Sequence, residues 1–366
     1  SRVEQRSRSL YLLKPGQLKT AAEFRKRFVA RGDPLKPHNV EQLKLQVSQV
    51  MIRNRRSSTG IHFTQRRAYT VRTQPSPAEE SLHRLVTNMV REFYPRNEAP
   101  LSHFILKTIQ MELGSSPRAA ASTVERLLQD NPPPQQSRWL KEVLQLARDT
   151  SHSAKMAALQ KTLAPLAGEK VVIFSHYLAT LQWLEENLKE LPLVMYHGGL
   201  SAREKDEAVE RFRTEARLLL STDSGGEGRN LQFCHILVNF DLPWNPMRIE
   251  QRIGRLSRIG QQRDVYIFNL CNHGTVEDQI LEVLDRKINL FELVVGELDL
   301  LLGRLGEEKD MEEAIMEMVG TSRTDEELFG RIGILGERLR DARLEYEQVK
   351  SLDEALFQEV SHPGQP

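Results

Sequence analysis

From residue 151 onward, short apolar runs alternate with amphipathic stretches, and turn residues bound each run. This alternation is typical of βαβ units built around a parallel sheet. The pattern predicts strands at 171–174, 193–196, 217–220, 236–240 and 265–270. It also predicts helices near 177–190, 201–213, 227–232 and 246–253, and a long helix after Thr275. The sequence therefore predicts an α/β fold in which ligands bind at the carboxyl ends of the strands.

The pattern before residue 151 is mainly helical. Residues 10–56 combine helical periodicity with proline and glycine breakers and end in an arginine cluster, which predicts a basic helical module. Residues 61–77 alternate like a short strand or an extended linker. Residues 78–150 have a helical pattern interrupted by prolines, which predicts three or four helices with no evident chemistry.

These patterns divide the chain of 366 residues into four predicted parts. They are a basic helical protrusion with a linker at 1–72, a helical insertion at 73–150, an α/β lobe at 151–298 and an acidic helical tail at 299–366. For the tail we favour packing on the basic arm or a contact with another protein. A solvated helical hairpin is the alternative.

Composition excludes several classes of protein. With 39% hydrophobic and 28% charged residues, the chain does not resemble a disordered, collagenous or membrane protein. No apolar run approaches the roughly 20 residues of a membrane-spanning helix, so we predict no membrane partner and a cytoplasmic protein. Cys234 and Cys271 are too few and too far apart for a disulfide framework or a cysteine zinc site, which predicts two buried thiols.

The formal net charge of +1 conceals a strong separation of charge along the chain. Residues 1–72 hold 17 basic and 4 acidic side chains, a net charge of +13. Residues 292–366 hold 8 basic and 19 acidic side chains, a net charge of −11. A basic arm of this kind indicates contact with a polyanion, although a solvated charged face would have the same composition.

A glycine-rich stretch, Ser221-Thr-Asp-Ser-Gly-Gly-Glu-Gly-Arg-Asn230, directly follows the strand predicted at 217–220. Its glycines permit close approach of the backbone to a ligand, and its hydroxyls together with a helix N-terminus suit phosphate oxygens. A plain tight turn is the equal alternative.

A second stretch, Gln251-Arg-Ile-Gly-Arg255-Leu-Ser-Arg258-Ile-Gly-Gln261, carries closely spaced arginines. Arg255 and Arg258 are three residues apart and would project to the same side of a helical turn. Their guanidinium groups match a phosphate bidentately and keep their charge. Solvated surface arginines are the alternative.

Three further segments follow predicted strands. Phe174-Ser-His176 ends the first strand and Tyr196-His-Gly-Gly-Leu-Ser201 ends the second, and either one fits a turn before a helix, with Ser201 as an N-cap. The loop Phe240-Asp-Leu-Pro-Trp-Asn-Pro246 contains two prolines beyond the fourth strand. His176 and His197 lack the spacing and acidic partners of metal ligands, so no metal site is predicted.

The order and spacing of these segments resemble motifs IV, IVa, V and VI in the second RecA-like lobe of superfamily 2 helicase-like ATPases. The loop 241–246 and the motif VI pattern resemble those of the Swi/Snf family of DNA-translocating motors. The resemblance is stronger to the bacterial and archaeal branch of this family, which includes the RNA-polymerase-associated ATPase. The resemblance covers about 151–292. More loosely, residues 10–72 resemble the helical protrusion and interlobe linker of such motors.

The resemblance implies a role for each matching residue. Arg255 and Arg258 would reach the γ-phosphate of ATP across the interlobe cleft, with Arg258 as the arginine finger and Gln251 helping to set both arginines. Gly228 and Asn230 would lie near the ATP ribose. The positions that match contacts to nucleic-acid backbone phosphates are Ser175, His197, Gly198 and Thr222.

The chain has no Gly-x-x-x-x-Gly-Lys-Ser/Thr loop and no apolar strand ending in Asp-Glu, with which the first lobe of such motors holds ATP and Mg²⁺. We therefore expect a C-terminal fragment of a longer DNA-stimulated ATPase, inactive alone. Translocation on duplex DNA is expected rather than strand separation.

The expected partners are double-stranded DNA, the missing N-terminal lobe, and RNA polymerase or another nucleoprotein at the nucleoid. The alternative function is a non-catalytic module that binds DNA or a polymerase through the basic arm.

Overall fold

A computed structural model of the chain describes residues 29–30, 33–37, 39, 42, 64–150, 153–223, 231–257, 260–287, 289–292, 298 and 311–358. The chain divides into two units, one formed by residues 1–61 and 341–366 and the other by residues 62–340. The four-part division made from the sequence stays a prediction. Residues 62–340 carry all the motif segments, so the fold of this unit decides where the motif residues lie.

In the first unit, the described strands are β1 (Val29–Ala30) and β2 (Asp33–Pro37), which pair antiparallel. The prediction of a helical module is wrong at these residues. Pro34 and Pro37 each lack the backbone N–H that a helix interior requires, and an extended strand accommodates them. The remainder of the predicted module, including its arginine cluster, lies outside the described residues.

The second unit contains a six-stranded sheet in the order β3-β8-β7-β4-β6-β5, and every neighbouring pair is parallel. Its strands are β3 (Arg66–Thr73), β4 (Val171–Phe174), β5 (Leu193–Tyr196), β6 (Leu218–Ser221), β7 (Ile236–Asn239) and β8 (Val265–Asn272). The five strands predicted after residue 151 are confirmed to within one or two residues at each end.

The edge strand β3 comes from the segment that the sequence predicted as a short strand or a linker. It pairs with β8 over its whole length, from Arg66 opposite Val265 to Thr73 opposite Asn272. The sheet therefore begins before the helical region, and the helical region lies between two of its strands in the sequence.

Helices cover both faces of the sheet. They are α1 (Pro77–Phe93), α2 (His103–Ser115), α3 (Pro117–Gln129), α4 (Pro134–Asp149), α5 (Ala154–Leu163), α6 (Leu178–Asn187), α7 (Ala202–Thr214), α8 (Pro246–Gly254), α9 (Val276–Glu282), α10 (Met311–Thr321) and α11 (Asp325–Gln358). The long helix expected after Thr275 is shorter, since α9 passes into a π-helical turn at Val283–Lys287.

Two hydrophobic cores lie on opposite faces of the sheet, because successive side chains of a strand point to opposite faces. Val172 and Phe174 of β4 belong to the core that contains the side chains of α1 to α4, whereas Val171 and Ile173 pack with α5 and α6. The residues of 73–150 thus share a core with the sheet.

Local signals set the helix ends. Ser201 caps α7, as the sequence predicted, and it forms a capping box with Glu204.

The described part of the acidic tail within this unit is packed rather than solvated, because Ile315, Val319 and Leu335 are buried in the same core as α1. Cys234 and Cys271 are both buried and free, as predicted. Within the described residues, no helix is both long and apolar enough to cross a membrane.

Candidate functional site

Three motif segments meet at the carboxyl edge of the sheet. β4 lies between β6 and β7, so the residues that follow these three strands are neighbours in space. They are Ser175 and His176 after β4, Thr222 and Asp223 after β6, and Phe240 and Asp241 after β7. The sheet order therefore brings together segments that are separated by dozens of residues in the chain.

Helix α8 supplies the arginines of this site. Asn245 caps the helix by accepting a hydrogen bond from the Met247 N–H (2.9 Å), and Pro246 occupies its first turn. The helix ends at Gly254, and Arg255 follows in a helical conformation as its C-cap. The arginines of this segment thus lie on or next to one short, capped helix.

Arg252 is the centre of the site, and its side chain is only 1% exposed. Its Nε donates to Asp223 Oδ1 (2.5 Å) and its Nη2 to Asp223 Oδ2 (3.2 Å) and Asp241 Oδ1 (3.3 Å). Its Nη1 donates to Asn239 Oδ1 (3.0 Å) and to the Asp241 carbonyl (2.8 Å). One guanidinium group therefore ties together the segments after β6 and β7.

The charges of this cluster stabilise one another. Burial opposes ionisation of Asp223, but the charge of Arg252 and hydrogen bonds from His176 and Arg252 outweigh it and hold the Asp223 pKa well below its usual range. Burial likewise opposes the charge on Arg252, and the two aspartates raise the Arg252 pKa above its ordinary value. Both partners are therefore ionised at neutral pH.

His176 joins the segment after β4 to the same cluster. Its backbone N–H donates to Asp241 Oδ1 (2.9 Å), and its Nδ1 lies 2.9 Å from Asp223 Oδ2. Arg248 Nη1 lies 3.1 Å from the same Nδ1. All three strand ends are thus connected through polar contacts.

Of the residues predicted to be catalytic, Arg255 lies in this cluster. It is 6% exposed, its Nη2 donates to the Asp223 carbonyl (2.9 Å), and its guanidinium carbon lies 5.9 Å from the centre of the Phe174 ring. Gln251 is exposed on α8. Arg258, Gly228 and Asn230 lie outside the described residues.

The residues predicted to contact nucleic acid differ in accessibility. Gly198 is exposed and His197 is half-buried in the turn after β5. Thr222 is 6% exposed, and its N–H donates to the Tyr196 carbonyl (3.0 Å), so it lies beside that turn.

Ser175 is fully buried. Its hydroxyl donates to Asp241 Oδ2 (2.5 Å) and its N–H to the Ser221 carbonyl (3.1 Å). Both donors of Ser175 are therefore used inside the protein, and its predicted phosphate contact stays a prediction.

The helicase conserved C-terminal domain family matches residues 154–260, which include β4 to β7, α8 and the arginine cluster. Residues 154–260 therefore resemble a helicase C-terminal domain.

Among proteins with similar sequences, the uncharacterized ATP-dependent helicase YqhH of Bacillus subtilis is 38% identical over 336 residues, which cover 90% of this chain and 58% of YqhH. The RNA polymerase-associated protein RapA of Proteus mirabilis is 42% identical over 130 residues, which cover 34% of this chain and 13% of RapA. The chain thus spans little more than half the length of YqhH and a smaller part of RapA.

Among solved structures, the Sulfolobus solfataricus SWI2/SNF2 ATPase core in complex with double-stranded DNA has a TM-score of 0.47 and 20% sequence identity. The match covers 87% of this chain and 61% of that one. The match to the helicase conserved C-terminal domain family agrees with the predicted resemblance to the second lobe of helicase-like ATPases. The predicted α/β fold is confirmed by the six-stranded parallel sheet.

The structure adds Asp223 and Arg252 to the residues of this site, and the sequence analysis did not predict a role for either. Asp223 and Arg252 stand inside the two quoted motifs, but a charged residue next to glycines or on a polar helix carries no signal of burial. The available signal was helical spacing, because Arg252 follows Ile249 by three residues and so lies on the same, buried side of α8. Within the described residues, no group of three or more His, Cys, Asp or Glu side chains is placed to hold a metal ion.

Proposed function

We propose that this chain is the C-terminal motor lobe of an ATP-dependent double-stranded DNA translocase. The observation that carries the proposal is the attachment of Arg252 and Arg255 to Asp223 at the end of β6. Arg252 and Asp223 form a buried ion pair, and Asp223 also accepts a hydrogen bond from Arg255. Such an arrangement is suited to presenting a guanidinium group to a phosphate. The names of the relatives, an ATP-dependent helicase and an RNA polymerase-associated protein, support an ATP-using motor.

In this proposal the arginines complete a nucleotide site that another lobe provides. ATP with Mg²⁺ is bound mainly by that first lobe, and Arg255 and Arg258 neutralise charge on the transferring phosphoryl group. An arginine finger is worth roughly 10³ to 10⁵ in rate, since the transition state spreads negative charge over the phosphoryl oxygens. Gln251, exposed on the same helix as Arg252, helps to orient them, and Gly228 and Asn230 lie near the ribose.

We place the DNA backbone against the adjacent ends of β5 and β6. Gly198 offers an exposed backbone, and His197 and Thr222 lie beside it. Such contacts grip phosphates without reading base sequence, as movement along a duplex requires. Ser175 is left out of this set because its donors are bonded internally. RNA polymerase or another nucleoprotein at the nucleoid is the proposed cellular partner.

The test uses a protein in which this chain is joined to the first lobe of the same motor. Arg255→Ala and Arg258→Ala are each expected to lower DNA-stimulated ATP hydrolysis about 10³-fold. Arg286→Ala is the matched control, because its side chain is 66% exposed in the π-helical turn after α9 and lies beyond the last motif segment in the sequence. Stimulation by duplex DNA and displacement of a triplex-forming strand would measure translocation.

Turnover within a few-fold of the unsubstituted protein in both arginine variants would refute the assignment of these residues. The chain by itself is expected to hydrolyse no ATP above background. DNA binding without DNA-stimulated hydrolysis by the two-lobe protein would instead favour a non-catalytic binding module.

A further inference from the structure

The junction between α2 and α3 inserts into the motif core, although its sequence carries no chemical motif. It consists of Gly114, Ser115 and Ser116, and the two serines are 2% and 1% exposed. A Cβ atom at Gly114 would lie 2.7 Å from Glu277 Oε1, so this chain segment lies closely against α9. Three small residues therefore allow the helical region to reach the ends of β4 and β7.

Ser115 contacts the carboxylate on which the site depends. Its hydroxyl donates to Asp241 Oδ2 (2.5 Å) and lies 2.8 Å from Thr180 Oγ1. Because a hydroxyl has one proton, donation to Asp241 leaves the Ser115 oxygen to accept from Thr180. The geometry thus assigns a direction to the hydrogen bonds, from Thr180 to Ser115 to Asp241.

Asp241 also contacts Arg252, and so connects Ser115 to the arginines. Its Oδ1 accepts from Arg252 Nη2 (3.3 Å) and its carbonyl from Arg252 Nη1 (2.8 Å). Arg252 holds the Asp223 carboxylate, and the Asp223 carbonyl accepts from Arg255. A continuous series of charge-assisted hydrogen bonds therefore joins Ser115, in the helical region, to Arg255.

We propose that Ser115 is a positioning residue for Arg255: by fixing the Asp241 carboxylate, it holds Arg252 and Asp223 in the arrangement that presents the arginine. The proposal rests on the proposed function, because its test measures ATP hydrolysis. It assigns the region 73–150 a part in ATP hydrolysis that its sequence does not indicate. Hydrogen bonds to a charged group are among the stronger ones in proteins, and networks of them couple their members.

Ser116 provides the matched control because it is a neighbour with equal burial and a different set of contacts. Its hydroxyl caps α3 by accepting from the Ala119 N–H (3.1 Å) and lies 2.7 Å from Thr180 Oγ1. No hydrogen bond joins it to Asp241 among the contacts of the described residues. Ser116→Ala therefore removes a buried hydroxyl and a helix cap, but it keeps the hydrogen bond from Ser115 to Asp241 and the contacts that join Asp241 to Arg255.

The experiment measures steady-state DNA-stimulated ATP hydrolysis by the two-lobe protein, with thermal unfolding of each variant as a check of folding. Ser115→Ala is expected to lower kcat about tenfold and to change KM for ATP less than about twofold, because the arginine acts on the transition state. Ser116→Ala is expected to lower the melting temperature as much as Ser115→Ala does and to keep kcat within about twofold.

A double-mutant cycle with Arg255→Lys separates positioning from a general structural effect. If Ser115 acts through Arg255, Ser115→Ala lowers kcat less than about twofold in the Arg255→Lys background. Equal losses in both backgrounds, or equal kcat values for Ser115→Ala and Ser116→Ala, would overturn the inference while leaving the proposed function intact. Absence of DNA-stimulated turnover in the unsubstituted two-lobe protein would overturn the proposed function, and the inference with it.

Discussion

Replacement of Arg252 by methionine tests whether the buried cluster holds the motif segments together. Methionine keeps much of the side-chain volume but removes the charge and the hydrogen bonds to Asp223, Asp241 and Asn239. The two carboxylates would then remain at 19% and 3% exposure without their shared cation. Arg252→Met is therefore expected to destabilise the fold strongly.

The magnitude follows from the cost of leaving a buried charge without its partner. Removing one member of a buried ion pair costs about 3 to 5 kcal/mol. For a unit of this size each kcal/mol lowers the melting temperature by about 2 to 4 °C, so a fall of at least about 6 °C is expected. The matched control is Arg203→Met, which breaks an ion pair to Glu207 at a side chain that is 89% exposed, and there the change should stay below about 1 kcal/mol.

The assay is urea unfolding of the purified chain, followed by circular dichroism at several pH values. In the native protein the Asp223 pKa is lowered, so the stabilisation is present above the pKa of an unfolded aspartate, about 4, and is lost as the pH falls through the native value. The difference between Arg252→Met and the native chain should therefore be larger at pH 7 than at about pH 2. Equal stabilities of the two proteins at pH 7, or a difference independent of pH, would refute this account of the cluster.

Two further predictions concern stability away from the arginines. Burial raises the pKa of Glu112 to about 7, so folding favours its protonated form and the native chain loses stability as the pH rises from about 4.5 to 7. Glu112→Gln should remove this loss and be more stable than the native chain at pH 8 but not at pH 4 in urea unfolding. The control Glu142→Gln, at an exposed position, should change neither value by more than about 0.5 kcal/mol. Gly320→Ala would place a Cβ atom in steric overlap with the Tyr94 ring and should destabilise by about 1 to 3 kcal/mol. Gly333→Ala, with open space around it in α11, should instead stabilise by about 0.5 to 1 kcal/mol. A Gly320→Ala protein as stable as Gly333→Ala in thermal unfolding would contradict the packing.

Local patterns were sufficient for most elements of the lobe. The apolar run 171–174 predicts a strand because a parallel strand is buried on both faces, and β4 is fully buried along its length. Ser201 predicts the start of α7 through its capping box with Glu204. These signals act over a few residues, so they can be recognised without knowledge of the rest of the chain.

The site was predictable in its location and only partly in its contacts. Motif spacing correctly places Arg255 at the carboxyl edge of the sheet, beside the segment that follows β6. It does not predict that Ser175 is fully buried, since a hydroxyl after a strand can face either solvent or a neighbouring loop. That choice depends on Asp241, which reaches Ser175 only because β7 pairs with β4.

By itself the sequence determined the strands β4 to β8, the helices α6, α7 and α8, the cap at Ser201, the two buried thiols and the motifs that resemble those of helicase-like ATPases. Only the tertiary structure decided that Arg66–Thr73 forms the edge of the sheet, that Arg252 is buried between two aspartates, and that Ser115 reaches Asp241. The physical reason is distance along the chain. Hydrophobic periodicity and capping are local interactions, whereas a strand pair or a shared carboxylate exists only after the whole sheet has assembled.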